Sequence, residues 1–189
     1  MPQTTLVSII CEDYTGLISE VTGMLYDAGV NLGDTTFAVL GGAAEFTSIC
    51  EFPDGVDIAQ TEKDLRTLPG LSVQPRARIS VAPFDYAAVH GETAQITHRI
   101  EITGEDSPGL IARLSEVFVG YGANIVRLNS ERIPGGSGRS ARYVSRIAVS
   151  IPPEKAQACL ATVANTAGEL RLTCHWVARG ATTPSIPGA

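Results

Sequence analysis

The chain has 189 residues, 44% of them hydrophobic and 18% charged, with a formal net charge of -6; this is globular composition, long enough for one mid-sized domain or two small ones. With 14 Lys and Arg against 20 Asp and Glu there is no basic footprint for a phosphate backbone, so direct nucleic-acid binding is not expected. The opening MPQTTLVSIICEDY has neither the basic nor the apolar region of a signal peptide, and no run of about 18 uncharged apolar residues occurs, so the sequence reads as a cytoplasmic protein without a membrane partner.

In chain order, TTLVSIIC is a strand with apolar groups on both sides, Val7, Ile9 and Cys11 against Leu6, Ser8 and Ile10. A sheet with an apolar outer face calls for cover by a second chain, another domain or the linker. From Asp13 the phrase DYTGLISEVTGMLYDAGVN leads into a helix that stops near Gly29, with Asn31 opening the next strand. The tight LGGA then turns one strand back on the other. APFDYAAVHGETA reads as a linker, with Phe84 and Tyr86 laid against a surface.

Beyond the linker the same order returns. Ile96, His98, Ile100 and Ile102 alternate with Thr97, Arg99, Glu101 and Thr103, a strand with one wet face. A helix follows, with Leu110, Ile111, Leu114 and Phe118 on one side, Pro108 suited to its first position and Gly122 to its stop. Strands over about 125–133 and 143–151 flank IPGGSGRSARY as a hairpin. PPEKAQACLATVANTA is a helix with Ala156, Leu160, Val163 and Ala167 inward, ELRLTCHWVA a closing strand, and GATTPSIPGA a disordered tail.

The two halves are copies in register. An offset of 93 pairs Glu12, Asp13, Gly16, Leu17, Ile18, Gly29 and Asn31 with Glu105, Asp106, Gly109, Leu110, Ile111, Gly122 and Asn124. Chance matches would not stay in phase over that length. At Pro53 and Pro152 the offset is 99, so the second hairpin loop has absorbed the extra residues. The order strand, helix, strand, strand, helix, strand predicts an α+β chain of two ferredoxin-like domains with helices on one sheet face. The expected limits are 1–82, a linker at 83–94, 95–179, and a tail at 180–189.

Cys11, Cys50, Cys159 and Cys174 form no C-x-x-C pair, and with His90, His98 and His175 they give no metal-ligand spacing. They read as buried apolar groups, His98 reads as a core histidine, and neither metal nor cofactor is expected. No Ser/His/Asp or Cys/His grouping assembles, so the chain does not read as an enzyme. PGGSGRS lacks the first glycine of a phosphate loop and leads into a strand. The aromatics and basic motif of an RNA-recognition sheet are also missing.

The repeated phrase carries the candidate chemistry. A helix start offers amides without intrahelical partners and a partial positive charge, which suit a carboxylate. Gly16 and Gly109 permit close approach there, Asp13 and Asp106 could pair with an ammonium, and Asn31 and Asn124 bring amides. Together these describe a receptor for a free amino acid, although each residue also has an ordinary structural role as cap, turn or stop.

Asp106-Ser107-Pro108-Gly109-Leu110 and, apart from its proline, Asp13-Tyr14-Thr15-Gly16-Leu17 resemble the Asp-or-Asn-x-Pro-Gly-Leu phrase of the ACT domain, a small-molecule regulatory module. Two such domains over about residues 4–179 resemble the glycine cleavage system transcriptional repressor family. The resemblance implies amino-acid binding at an interface between two ACT domains, with ligand contacts at Asp13, Gly16, Leu17 and Asn31 in one copy and Asp106, Gly109, Leu110 and Asn124 in the other. It also implies a homodimer that senses a glycine- or serine-class amino acid and modulates a protein partner, either a DNA-binding regulator or a metabolic enzyme. The alternative is a tandem ACT interaction module that binds no ligand.

Overall fold

The computed structural model describes residues 2–85, 95–105, 108–134 and 142–179. The chain divides into two compact units, Met1–Ala87 and Ala88–Ala189. The first runs β1 (Gln3–Glu12), α1 (Leu17–Asp27), β2 (Asn31–Leu40), β3 (Ala43–Phe52), α2 (Ile58–Thr67), α3 (Pro69–Ser72) and β4 (Arg78–Pro83). The second runs β5 (His98–Glu105), α4 (Leu110–Gly120), β6 (Asn124–Ile133), β7 (Arg142–Ser150), α5 (Ala156–Glu169) and β8 (Thr173–Ala178). Each sheet is antiparallel, in the orders β2-β3-β1-β4 and β6-β7-β5-β8. The ferredoxin-like arrangement expected from the sequence is therefore present twice.

Alternation sorts the sheet residues between faces. Val7, Ile9 and Cys11 of β1 join Phe46, Cys50 and Phe52 of β3 under Leu17, Val21 and Leu25 of α1 and Leu65 of α2, all buried. The outer set on β1 is less covered, with Leu6 and Ser8 half-buried and Ile10 42% exposed. In the second unit Ile100 and Ile102 pack with Val149 under Leu114 and Phe118 of α4 and Leu160, Val163 and Ala167 of α5. Burial of each such large side chain contributes about 1.5–3 kcal/mol. Ile111 and Ala156, expected on the inner stripes, are half-buried, and Cys159 is fully buried beside them.

Helix ends explain why the copies share register. Gly29 and Gly122 adopt left-handed backbone at φ 76 and 69. The following amides reach back to close the last turn, Val30 N–H to Leu25 O at 2.9 Å and Ala123 N–H to Phe118 O at 2.8 Å, the geometry a glycine past a helix end provides. At the starts the sequence expectation needs correction. Pro108 is not the first helical residue, because left-handed Gly109 stands between it and Leu110.

The copies differ at two connections. Leu40 and Ala43 are joined by Gly41-Gly42, whereas Ile133 and Arg142 are joined by a connection six residues longer, whose residues 135–141 lie outside the described residues. The other difference was not expected. Ile79 pairs with Ile9 and Cys174 with Ile102, so the offset has fallen to 95 and the second copy is four residues shorter between β7 and β8. The missing piece corresponds to α3. Leu68 is extended at ψ 140, as a residue before proline favours, and this break separates α2 from α3.

The first unit continues past β4, with Phe84 N–H donating to Thr4 O at 2.9 Å, and Phe84 is half-buried. The rest of the expected linker, including Tyr86 and His90, and the expected tail from 180 onward lie outside the described residues.

Candidate functional site

Leaving β1, the chain must turn sharply before α1 can lie back over the sheet. Gly16 makes that turn at φ 104 and ψ -9, and no side chain caps the helix. Leu17 N–H donates weakly to Tyr14 O at 3.3 Å and Glu20 N–H to Gly16 O at 2.9 Å, while the amides of Ile18 and Ser19 have no acceptor within the helix. Asp13 is pinned by its own N–H to Gly42 O at 2.9 Å. Its side chain is exposed, and its carboxylate takes no hydrogen bond or ion pair from the described residues. Residues 13–19 line an open cleft of about 530 Å³ whose remaining wall is Phe37 of β2.

Tyr14, where the matching phrase of the second copy has Ser107, fixes this loop. Its hydroxyl donates to Glu20 Oε2 at 3.0 Å, and Gly70 N–H donates to the same oxygen at 3.1 Å. Gln74 accepts from Glu12 N–H at 2.8 Å and donates from Nε2 to Glu12 O at 3.3 Å and Gly70 O at 2.9 Å. Burial, and then the hydrogen bond to Glu20, push the Tyr14 hydroxyl well above the ordinary tyrosine range. The α3 segment thus buttresses the cleft rim, a support without counterpart in the second copy. Leu17 is 2% exposed, so its side chain anchors the helix in the core and only its backbone reaches the cleft.

Asn31 is placed elsewhere, at the start of β2 opposite Glu51, whose carboxylate accepts from its Nδ2 at 3.4 Å. Glu12, next to Asp13, opposes Ala43, eight residues along β3 from Glu51, or about 26 Å at ~3.3 Å per residue. Within one unit the carboxylate and helix start are brought together and the amide is not. An intervening helix of 11 residues spans about 16 Å at ~1.5 Å per residue, so the separation was available from the sequence.

The second unit follows the same plan. Gly109 caps α4 at φ 82 without a side-chain cap, and Leu110 is buried at 2% exposure. Asn124 opens β6 opposite Ser150, at the far end of the strand from Glu105, which pairs with Arg142. Asp106 lies outside the described residues. Phe37 was missed by sequence reasoning; its signal was an aromatic at alternate spacing in a strand whose edge position is visible only in the sheet order.

Elsewhere the polar groups have structural roles. His98 is half-buried, its Nδ1 2.9 Å from Thr97 Oγ1, and burial lowers its pKa. All four cysteines are free, three buried and Cys174 half-buried. Burial raises every one of these thiols, which disfavours the thiolate. Among the described residues no group of three or more His, Cys, Asp or Glu is arranged to hold a metal, and no helix is long and apolar enough to cross a membrane.

No protein-family model matches the chain and no curated protein matches it in sequence. Solved structures do match. An unknown protein from Galdieria sulphuraria aligns over 94% of this chain and 99% of its own at TM-score 0.75 and 20% identity. A protein provisionally assigned as a glycine cleavage system transcriptional repressor aligns over 94% of this chain and 98% of its own, at TM-score 0.61 and 15% identity. An ACT domain from the GTP pyrophosphokinase of Chlorobium tepidum aligns over 42% of this chain and 100% of its own at TM-score 0.35 and 14% identity, a likeness too distant to argue from. At these identities the first two comparisons establish a shared tandem fold.

Proposed function

We propose that this chain is a regulatory protein that senses a free amino acid and passes its occupancy to a protein partner, a transcription regulator or a metabolic enzyme. The observation that carries the reading is the cleft at Gly16, where a carboxylate without a partner among the described residues stands beside an uncapped helix start. The first-turn amides suit the ligand carboxylate and Asp13 its ammonium. Because Asn31 lies at the far end of its own strand, a second chain would bring the amide, and the working form proposed is a homodimer. A ligand held across two chains favours the arrangement in which both halves meet, and coupling of about 1–3 kcal/mol suffices for regulation.

A thermal-shift screen of the full chain against the twenty amino acids at millimolar concentration tests this. A Kd of about 0.1–1 mM corresponds to roughly 4–5.5 kcal/mol of binding. Tenfold excess over that Kd stabilises the folded chain by about 1.4 kcal/mol. A rise for one or two amino acids, lost in Asp13→Ala, is the expected result. No rise with any of them favours the second reading, an interaction module without a ligand, for which the exposed apolar side chains of Phe37 and Val39 on one face of edge strand β2 are the supporting observation.

A further inference from the structure

We propose that Phe37 makes the first unit's cleft selective for amino acids with an apolar side chain. The inference rests on the amino-acid reading above and names the ligand class of the first unit's site. Phe37 pairs in register with Phe46, on the sheet face that carries the helices. Phe46 is 1% exposed, whereas Phe37, one strand further out, is 42% exposed and forms a cleft wall. Ile18, also lining the cleft, is 36% exposed.

A ligand ammonium at Asp13 and a carboxylate at the first-turn amides leave these two apolar groups to meet the ligand side chain. Covering them with an apolar side chain removes hydrocarbon from water on both partners, which favours binding. A hydroxymethyl group would cover little of that surface, and hydrogen would cover none. The cleft, about 530 Å³, is open and does not confine the ligand to a side chain of serine's size.

The second copy has changed both members of this cross-strand pair. Ser130 stands 93 residues after Phe37 and Ser145 stands 99 after Phe46, and the two serines oppose each other in register. Their hydroxyl oxygens lie 2.8 Å apart, and Ser145 is fully buried. An aromatic pair in one copy is thus a hydroxyl pair in the other, and the second copy carries no aromatic where the first has Phe37.

The test is isothermal titration of the full chain with L-leucine, L-valine, glycine and L-serine, repeated on Phe37→Ser and Phe37→Leu. Leucine or valine is expected to bind the wild type, to bind Phe37→Ser about tenfold more weakly or worse, and to bind Phe37→Leu within about threefold. Serine or glycine affinity should be unchanged in both variants. Phe37→Leu keeps an apolar residue at a partly exposed position, so it serves as the folded control. Equal leucine affinity in wild type and Phe37→Ser, or binding of glycine and serine alone, overturns the proposal and leaves the amino-acid reading standing. Heat from none of these four overturns the proposal, and the thermal-shift screen above, if flat for all twenty amino acids, overturns the amino-acid reading as well.

Discussion

Gly70→Ala probes the buttress behind the cleft. A Cβ at position 70 would overlap ring atoms and the hydroxyl of Tyr14. The backbone there is held from both sides, by Gly70 N–H on Glu20 and by Gln74 on Gly70 O, so the tyrosine is the part that must move. Its departure breaks the bond to Glu20, worth about 1 kcal/mol once its partial exposure is allowed for. It also returns part of the half-buried ring to water, on the order of 1 kcal/mol against about 1.5–3 kcal/mol for burying a large apolar side chain fully. Alanine offsets about 0.5–1 kcal/mol of this by restricting the unfolded chain. The net expectation is a loss of about 1–1.5 kcal/mol, confined to the first unit. Urea unfolding by far-UV circular dichroism measures it, and with m of about 1 kcal/mol/M the midpoint falls by about 1 M. Trp176, the only tryptophan, lies on β8 of the second unit and provides an internal reference that should not shift. In a Tyr14→Ala background the penalty disappears and Gly70→Ala becomes neutral or slightly stabilising. The same cost in both backgrounds would refute the contact.

Gly16→Val and Gly109→Val should each destabilise by about 1–3 kcal/mol in thermal melts. A Cβ at either glycine meets no atom within 4 Å, so the cost is backbone strain at φ 104 and 82 and a smaller residue such as alanine should not restore stability. Asn31→Ala and Asn124→Ala should weaken ligand binding in titrations; normal binding by both would remove the amide from the site. Glu62 is held below the ordinary glutamate range by the hydrogen bond from Arg66, then by the Val81 amide. Because its folded pKa is depressed, the associated stability is present above the unfolded value of about 4.3 and is lost as pH falls through the lower folded value. Glu62→Gln should flatten that acid slope in urea midpoints measured between pH 6 and pH 3.

The duplication was legible because the residues that fix backbone direction are repeated. The left-handed glycines at 16 and 29 and at 109 and 122 are conformational requirements, and a requirement leaves its mark in residue type. Phe37 was not legible, since alternation tells which face a side chain takes but not whether a neighbouring strand or helix reaches it. The buttress was hidden for another reason: Tyr14 and Gly70 are separated by most of the unit, and no local pattern connects them. Asn31 was legible as the residue that opens the strand after the helix, and the helix between it and Gly16 carries the chain to the other end of the sheet. Leu17 and Leu110 belong to the same repeated phrase as the glycines, but their burial makes them part of the scaffold that holds it.

Each unit is left where it is entered. Phe84 hydrogen-bonds to Thr4 at 2.9 Å, and at the matching place Arg179 bonds to Thr97 at 2.7 Å. A folded body whose two ends are neighbours imposes no span on whatever joins it to the next. Doubling such a gene segment needs only a short connecting stretch, and neither copy has to rewire its strands. The same closeness would let β1 and β4 be spliced and the chain reopened at Gly41-Gly42, a circular permutant that keeps every strand pairing of the first sheet except the turn itself.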